Sequence, residues 1–208
     1  MPTNYWSWII PAVLALLVLG GALAWWSMPT AVTPVPITQN PATTTTQTYL
    51  NPALHYSITY PDSFTVSTVY SYKALGPDVA ISGVSFTIPA STVVGTNLSP
   101  DSYISIESLA SSTCSGQIFL GDAVATATDN FTDSGVSYSF AKGGDAAAGN
   151  FYEEYVYALK GHTPCIAVRY FIHSANINNY PAGTVRAFNH AQLLTQFDAI
   201  RHSLTFTK

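Results

Sequence analysis

No lysine, arginine, aspartate or glutamate occurs before Asp62, and charged residues make up only 9% of the 208. The uncharged start lacks the basic n-region of a secretory signal peptide. It also leaves no flanking charge by which the positive-inside rule could orient a membrane helix. Cysteine is scarce as well. Cys114 and Cys165 are the only two, both far from the N-terminus, so none is placed to carry the lipid of a lipoprotein. Seven basic residues against eleven acidic ones give a formal charge of -4. Those basic residues are dispersed, which argues against a nucleic-acid surface. The chain also has no HExxH, GxSxG, GxxxxGKS/T, GxGxxG or CxxC, and no acidic run with calcium-loop spacing. No catalytic signature is therefore present, and no cofactor is expected.

What the chain does have begins with an apolar run, Tyr5 to Trp26. Tyr5, Trp6 and Trp8 stand at one end and Trp25 and Trp26 at the other. About 20 residues at roughly 1.5 Å each cover a bilayer core of about 30 Å, and tryptophan favours both interfaces. Residues 1–28 are expected to be a transmembrane anchor, with Pro11 tolerated in its first turn. Ala22-Leu23-Ala24 has the small-x-small form of a cleavage site, so removal after Ala24 is the rival reading. The missing basic residues and the bulky Trp25 and Trp26 favour retention.

Residues 29–48 change to Pro, Thr, Ala and Gln, too poor in apolar side chains to fold and rich enough in proline to stay extended. This reads as a linker, and residues 49–208 as one domain. An even cysteine pair behind an export-competent segment points to one Cys114–Cys165 disulfide in an oxidising compartment. Closing a loop of about 50 residues would contribute roughly 4 kcal/mol on the chain-entropy account. Two buried free thiols are the alternative. The expected placement is single-pass in the cell membrane, with the N-terminus cytoplasmic and the C-terminal domain outside.

Within the domain, segments rich in Tyr, Val, Ile, Phe and Thr are separated by Gly, Pro, Asn, Asp and Ser. They predict strands at His55–Tyr60, Phe64–Ser71, Val79–Ile88, Tyr103–Ser108, Val136–Ala141, Tyr152–Leu159 and Cys165–His173. The clearest hairpin turns through Lys160–Pro164. A helix closes the chain. Asn189 is its expected N-cap with Gln192 as capping-box partner, and Phe188 and Leu193 are placed for a hydrophobic staple. Leu193, Phe197, Ile200 and Leu204 form its buried stripe, leaving Gln196, Asp198 and Arg201 wet. An antiparallel sheet covered by helices, including this one, makes the fold α+β.

The opening Tyr49-Leu50-Asn51-Pro52, then Tyr56-Ser57-Ile58-Thr59-Tyr60-Pro61 and Phe64, resembles the start of PsbP-like domains. The closing Phe197, Ile200, Ser203, Leu204 and Phe206 are similar to the helix and short strand that end that fold. The resemblance implies an antiparallel sheet between helices, in a family whose better-known members are non-enzymatic accessory proteins that bind partners. The anchor and the cysteine pair depart from the photosynthetic members, so no binding residues are carried over.

Glu153, Glu154, Arg169 and His173 are the most concentrated ionisable residues. Glu154 is expected nearly opposite Arg169, with Arg169, Phe171 and His173 on one sheet face. The functional reading is an acid and base set for an envelope hydrolase; the structural reading is a cross-strand ion pair. His55, His162, His173, His190 and His202 are scattered, so no metal site is expected. Only Asp198 and His202 share a helix face, at the spacing of an ordinary surface contact. The connection Ser174–Ala187 is long and Asn-rich, as binding loops often are. Tyr180, Asn178, Asn179 and Arg186 are its candidate binding residues, Tyr180 stacking on a sugar or partner side chain and Arg186 pairing with an anion.

The reading favoured from these residues is an anchored extracytoplasmic binding or accessory domain that meets an envelope protein or saccharide. An envelope enzyme and a structural surface spacer are the alternatives.

Overall fold

A computed structural model describes residues 45–207 apart from 74, 77, 78 and 122–124. The expected anchor, Tyr5–Trp26, and the linker up to residue 44 lie outside the described residues. Among those described, no helix is long and apolar enough to cross a membrane.

The described residues build two antiparallel sheets and three short-to-medium helices. Strands β1 (Thr46–Asn51) and β2 (Tyr56–Pro61) pair with the terminal β10 (Thr205–Phe206) in a three-stranded sheet. Thr46, Gln47 and Thr48, expected in the linker, are thus already strand residues. The larger sheet contains β3 (Thr65–Tyr72), β4 (Ile81–Thr87), β5 (Tyr103–Leu109), β6 (Ala127–Asp133), β7 (Val136–Ala147), β8 (Asn150–Leu159) and β9 (Cys165–Ala175). Its seven strands run in the order β3-β4-β5-β9-β8-β7-β6. Helices α1 (Ala90–Val93), α2 (Gly116–Leu120) and α3 (His190–His202) complete the domain. All seven strand segments read from the sequence are found, and the α+β class with a closing helix stands. β1, β6, α1 and α2 are additions.

Turn chemistry explains the length of the β6-β7-β8 meander. Ser134 and Gly135 join β6 to β7, and Ala148 and Gly149 join β7 to β8, all four at positive φ. Two-residue hairpins with both central residues left-handed match the right-handed twist of the strands they join. Gly144 lets β7 run on past the expected Ala141, because a Cβ there would lie 2.5 Å from the Tyr152 carbonyl oxygen.

β9 occupies the middle of the large sheet and is buried on both sides. Its period-two alternation sends Ile166, Val168, Tyr170 and Ile172 to one face and Cys165, Ala167 and Arg169 to the other. The first face carries the main core, which also holds Val84, Phe86, Ile104 and Ile106. Leu193, Phe197 and Ile200 of α3, Leu204 just beyond it, and Tyr56 and Ile58 of β2 cover it. Asn189 caps α3 as expected, its side chain accepting from the Gln192 N–H at 3.1 Å. The second face carries a smaller core of Tyr72, Ile81, Ala141, Val156 and Ala158 beneath Phe119 and Leu120 of α2. Cys114, just before α2, is joined by a disulfide to the fully buried Cys165. The bond ties the α2 layer to the central strand.

Candidate functional site

Glu153, Glu154, Arg169 and His173 do not form one group. Val156, rather than Glu154, stands opposite Arg169, and Glu154 is paired with Phe171. Successive strand residues point to opposite faces, so Glu153 and Glu154 are separated by the sheet itself.

Arg169 is fully buried on the α2 face. Its Nε and Nη2 donate to Glu107 Oε1 and Oε2 at 2.7 and 2.9 Å, Nη2 also donates to the Phe119 carbonyl at 2.8 Å, and Nη1 pairs with Glu154. The guanidinium lies 3.6 Å from the Tyr72 ring centroid. Glu107, equally buried, accepts further bonds from Tyr70 Oη at 2.6 Å and Ser105 Oγ at 2.9 Å. Tyr72 Oη donates to Glu154 at 2.8 Å. Burial alone would lower the Arg169 pKa, but the Glu107 and Glu154 charges outweigh it and hold the guanidinium protonated. Burial, reinforced by the Glu107 charge, pushes the Tyr70 phenol up, so it stays a donor. Every polar atom named here faces another of the set, leaving none turned to an incoming substrate. Glu107 escaped the sequence reading; the available signal was a lone carboxylate inside the otherwise uncharged strand Tyr103–Leu109.

Glu153 lies on the α3 face. It accepts from Tyr155 Oη at 2.8 Å and pairs with Lys142 and His190, each at 3.2 Å. Burial opposes its ionisation, but these partners together hold its pKa below the ordinary carboxylate value. His173 sits apart from both. Its Nδ1 is 2.8 Å from Asp101 Oδ1, its Nε2 is 3.1 Å from Asn150 Oδ1, and its ring stacks on Tyr152 at 4.5 Å. Both ring nitrogens therefore already have partners.

Arg201, expected on the wet side of α3, is only 4% exposed. Its guanidinium lies 5.0 and 4.4 Å from the rings of Tyr138 and Tyr157. It donates from Nη2 to Asp133 at 2.7 Å and to Asp198 at 3.2 Å, and from Nε to Tyr170 Oη at 2.9 Å. Aromatic faces and paired charges replace the water that Nε and Nη2 give up, while Nη1 is buried without a hydrogen-bond partner among the described residues. His202 Nε2 also meets Asp133, at 2.7 Å. Hydrogen bonds from Arg201 and His202 hold the Asp133 pKa down at about 2. Asp198 and His202 thus converge on an arginine centre, and no group able to hold a metal ion occurs among the described residues.

The loop after β9 has a different character. Asn97 ties both of its ends: its backbone carbonyl accepts from the Ala175 N–H at 2.9 Å, and its side-chain oxygen accepts from the Phe188 N–H at 2.9 Å. The four predicted binding residues are spread along it. Asn178 donates its N–H to Asn176 in the 3-10 turn Ile177–Asn179, and Asn179 Nδ2 reaches the Gly149 carbonyl at 3.0 Å. Tyr180 is 37% exposed. Arg186 is elsewhere, on the wall of a cleft of about 500 Å³ between α1 and the start of α3.

No family model matches the chain, and no curated protein matches it in sequence. Solved structures similar in fold include the following two. One is the solution structure of a cyanobacterial PsbP, CyanoP, from Synechocystis sp. PCC 6803. It is 12% identical at a TM-score of 0.41, over 84% of this chain and 100% of that one. The other is a crystal structure from Bacteroides thetaiotaomicron VPI-5482, 11% identical at a TM-score of 0.41, over 78% of this chain and 48% of that one. The chain thus spans about half the length of the Bacteroides protein. The PsbP-like resemblance seen at the two ends of the domain is present as a weak likeness of fold, and it carries no argument about function.

Proposed function

We propose that the chain is a membrane-anchored, extracytoplasmic binding or accessory domain that meets its ligand or partner along the loop between β9 and α3. The observation that supports this best is a contrast between charges. Glu107, Glu154, Arg169 and Arg201 are engaged in internal pairs, whereas Arg186 shows no ion pair among the described residues, beside a loop pinned at both ends. A pre-ordered loop loses little freedom when it binds, which favours recognition over a structural connector. The apolar Tyr5–Trp26 run supplies the anchor, and the Cys114–Cys165 disulfide favours an oxidising compartment for the domain. The hydrolase alternative has less to stand on, because Glu154 and Arg169 face each other and His173 lies apart.

Two measurements on the full chain in intact cells test this reading. A membrane-impermeant thiol reagent should label the protein only after reduction; labelling after lysis alone, without reduction, would invert the topology. A photo-crosslinking residue in place of Tyr180 should capture a discrete species that one in place of Val69, 89% exposed on β3, does not. Equal capture at both positions would remove the special role of the loop.

A further inference from the structure

The cleft beside this loop has a composition that selects a ligand class. Its volume of about 500 Å³ falls within the range of small-molecule sites. Thr92, Arg186, Gln192 and Gln196 supply polar groups, Leu98 and Leu193 supply an apolar floor, and no carboxylate lines it among the described residues. The arginines of the chain are Arg169, Arg186 and Arg201. The first and last have carboxylate partners, and Arg186 alone shows none among the described residues. Its backbone is nevertheless fixed. The Arg186 N–H donates to the Gly95 carbonyl at 3.1 Å, and its carbonyl accepts from the Asn97 N–H at 3.1 Å. Gln192 and Gln196 stand one turn apart on α3 and so present their amides along the same side of the helix.

We propose that this cleft binds a small sugar acid. A planar carboxylate matches the two-point geometry of a guanidinium, so Arg186 takes the acid group. Side-chain amides and hydroxyls both donate and accept, as sugar hydroxyls do, so Gln192, Gln196 and Thr92 take the ring substituents. Leu98 and Leu193 accept the less polar ring face. A neutral sugar leaves Arg186 unpaired. A simple inorganic anion leaves the amide wall unused. The proposal rests on the binding reading above and is independent of Tyr180.

The test is calorimetric titration of the full chain in lipid nanodiscs with glucuronate, glucose and inorganic phosphate. Glucuronate should bind, and Arg186→Gln should weaken it about tenfold or more, the loss expected for one charge-assisted contact. Gln192→Ala and Gln196→Ala should each weaken it severalfold. Circular dichroism of each variant confirms that the fold is kept. No glucuronate binding at millimolar concentration, unchanged binding in Arg186→Gln, or equal affinity for glucose would overturn the proposal. Equal affinity for phosphate would reduce the cleft to a simple anion site and overturn the sugar-acid assignment. None of these outcomes alters crosslinking at Tyr180, so the broader binding reading stands or falls separately.

Discussion

Arg169 and Glu107 meet through two parallel hydrogen bonds, Nε to Oε1 at 2.7 Å and Nη2 to Oε2 at 2.9 Å, with both side chains fully buried. The pair joins β5 to β9 in the middle of the large sheet. Taking both charges out of water is costly, and the attraction between them offsets that cost only while both are present. Removing Arg169 leaves Glu107 in the interior without a counter-charge, and removing Glu107 leaves the buried guanidinium with Glu154 as its remaining carboxylate.

Glu107→Ala should therefore destabilise the domain by about 3–5 kcal/mol. A Glu107→Leu, Arg169→Met double variant should recover more than half of that loss, because it buries no orphaned charge at either position. Guanidinium unfolding of the full chain in detergent checks both. Equal loss in the single and double variants would show that shape at these positions matters more than charge balance.

The disulfide gives a second prediction. Cys114 and Cys165 are 51 residues apart, and closing a loop of that length limits the unfolded chain by about 4 kcal/mol on the chain-entropy account. Reducing the bond should lower the unfolding free energy by about that amount, read as a shift of the guanidinium midpoint with dithiothreitol. A much smaller shift would mean that the α2 layer is held mainly by Phe119 and Leu120.

Local patterns carried much of this fold into the sequence. The cap at Asn189, the stripe from Leu193 to Leu204 and the turn after Leu159 each depend on neighbours within a few residues, and each is found. What escaped depends on distant partners. Glu107 reads as the polar side of a strand until β9 places Arg169 beside it, and that pairing joins segments about 60 residues apart in the chain. Arg201 reads as wet because the rings that bury it, Tyr138 and Tyr157, come from β7 and β8. β6 escaped because four of its first residues are exposed and carry no period-two pattern. Of the candidate loop residues, Tyr180 is exposed, Arg186 lines a cleft and Asn179 is engaged with Gly149. The ion-pair network was legible only as the Glu154 and Arg169 half.

Acid should weaken the α3 anchorage in a defined window. The folded Asp133 carboxyl titrates at about 2, below its ordinary value near 4, because Arg201 and His202 bond to its ionised form. The unfolded chain therefore binds more protons in this range, so the contribution is complete above about pH 4 and is lost as pH falls towards 2. Asp133→Asn should be less stable than the parent at pH 6 and should show a shallower stability decline between pH 4 and 2. Urea unfolding at several pH values checks the slope, and parallel slopes would remove Asp133 from the acid response.

Asn97 provides the sharpest link between a single side chain and the binding loop. Its Oδ1 accepts from the Phe188 N–H at 2.9 Å and its Nδ2 donates to the Ala175 carbonyl at 2.7 Å, so one amide bridges the two ends of the loop. Alanine at this position leaves a half-buried donor and acceptor without partners, at a cost of about 1–3 kcal/mol. The loss should be local before it is global. Hydrogen exchange at Phe188 should accelerate strongly in Asn97→Ala, while exchange at Val168 and Tyr170 in the central strand should change only by the overall stability difference. The backbone bonds that place Arg186 also pass through residues 95 and 97, so glucuronate affinity should fall in the same variant although Asn97 does not line the cleft. Fast exchange with unchanged affinity would mean that Arg186 is positioned by Gly95 alone.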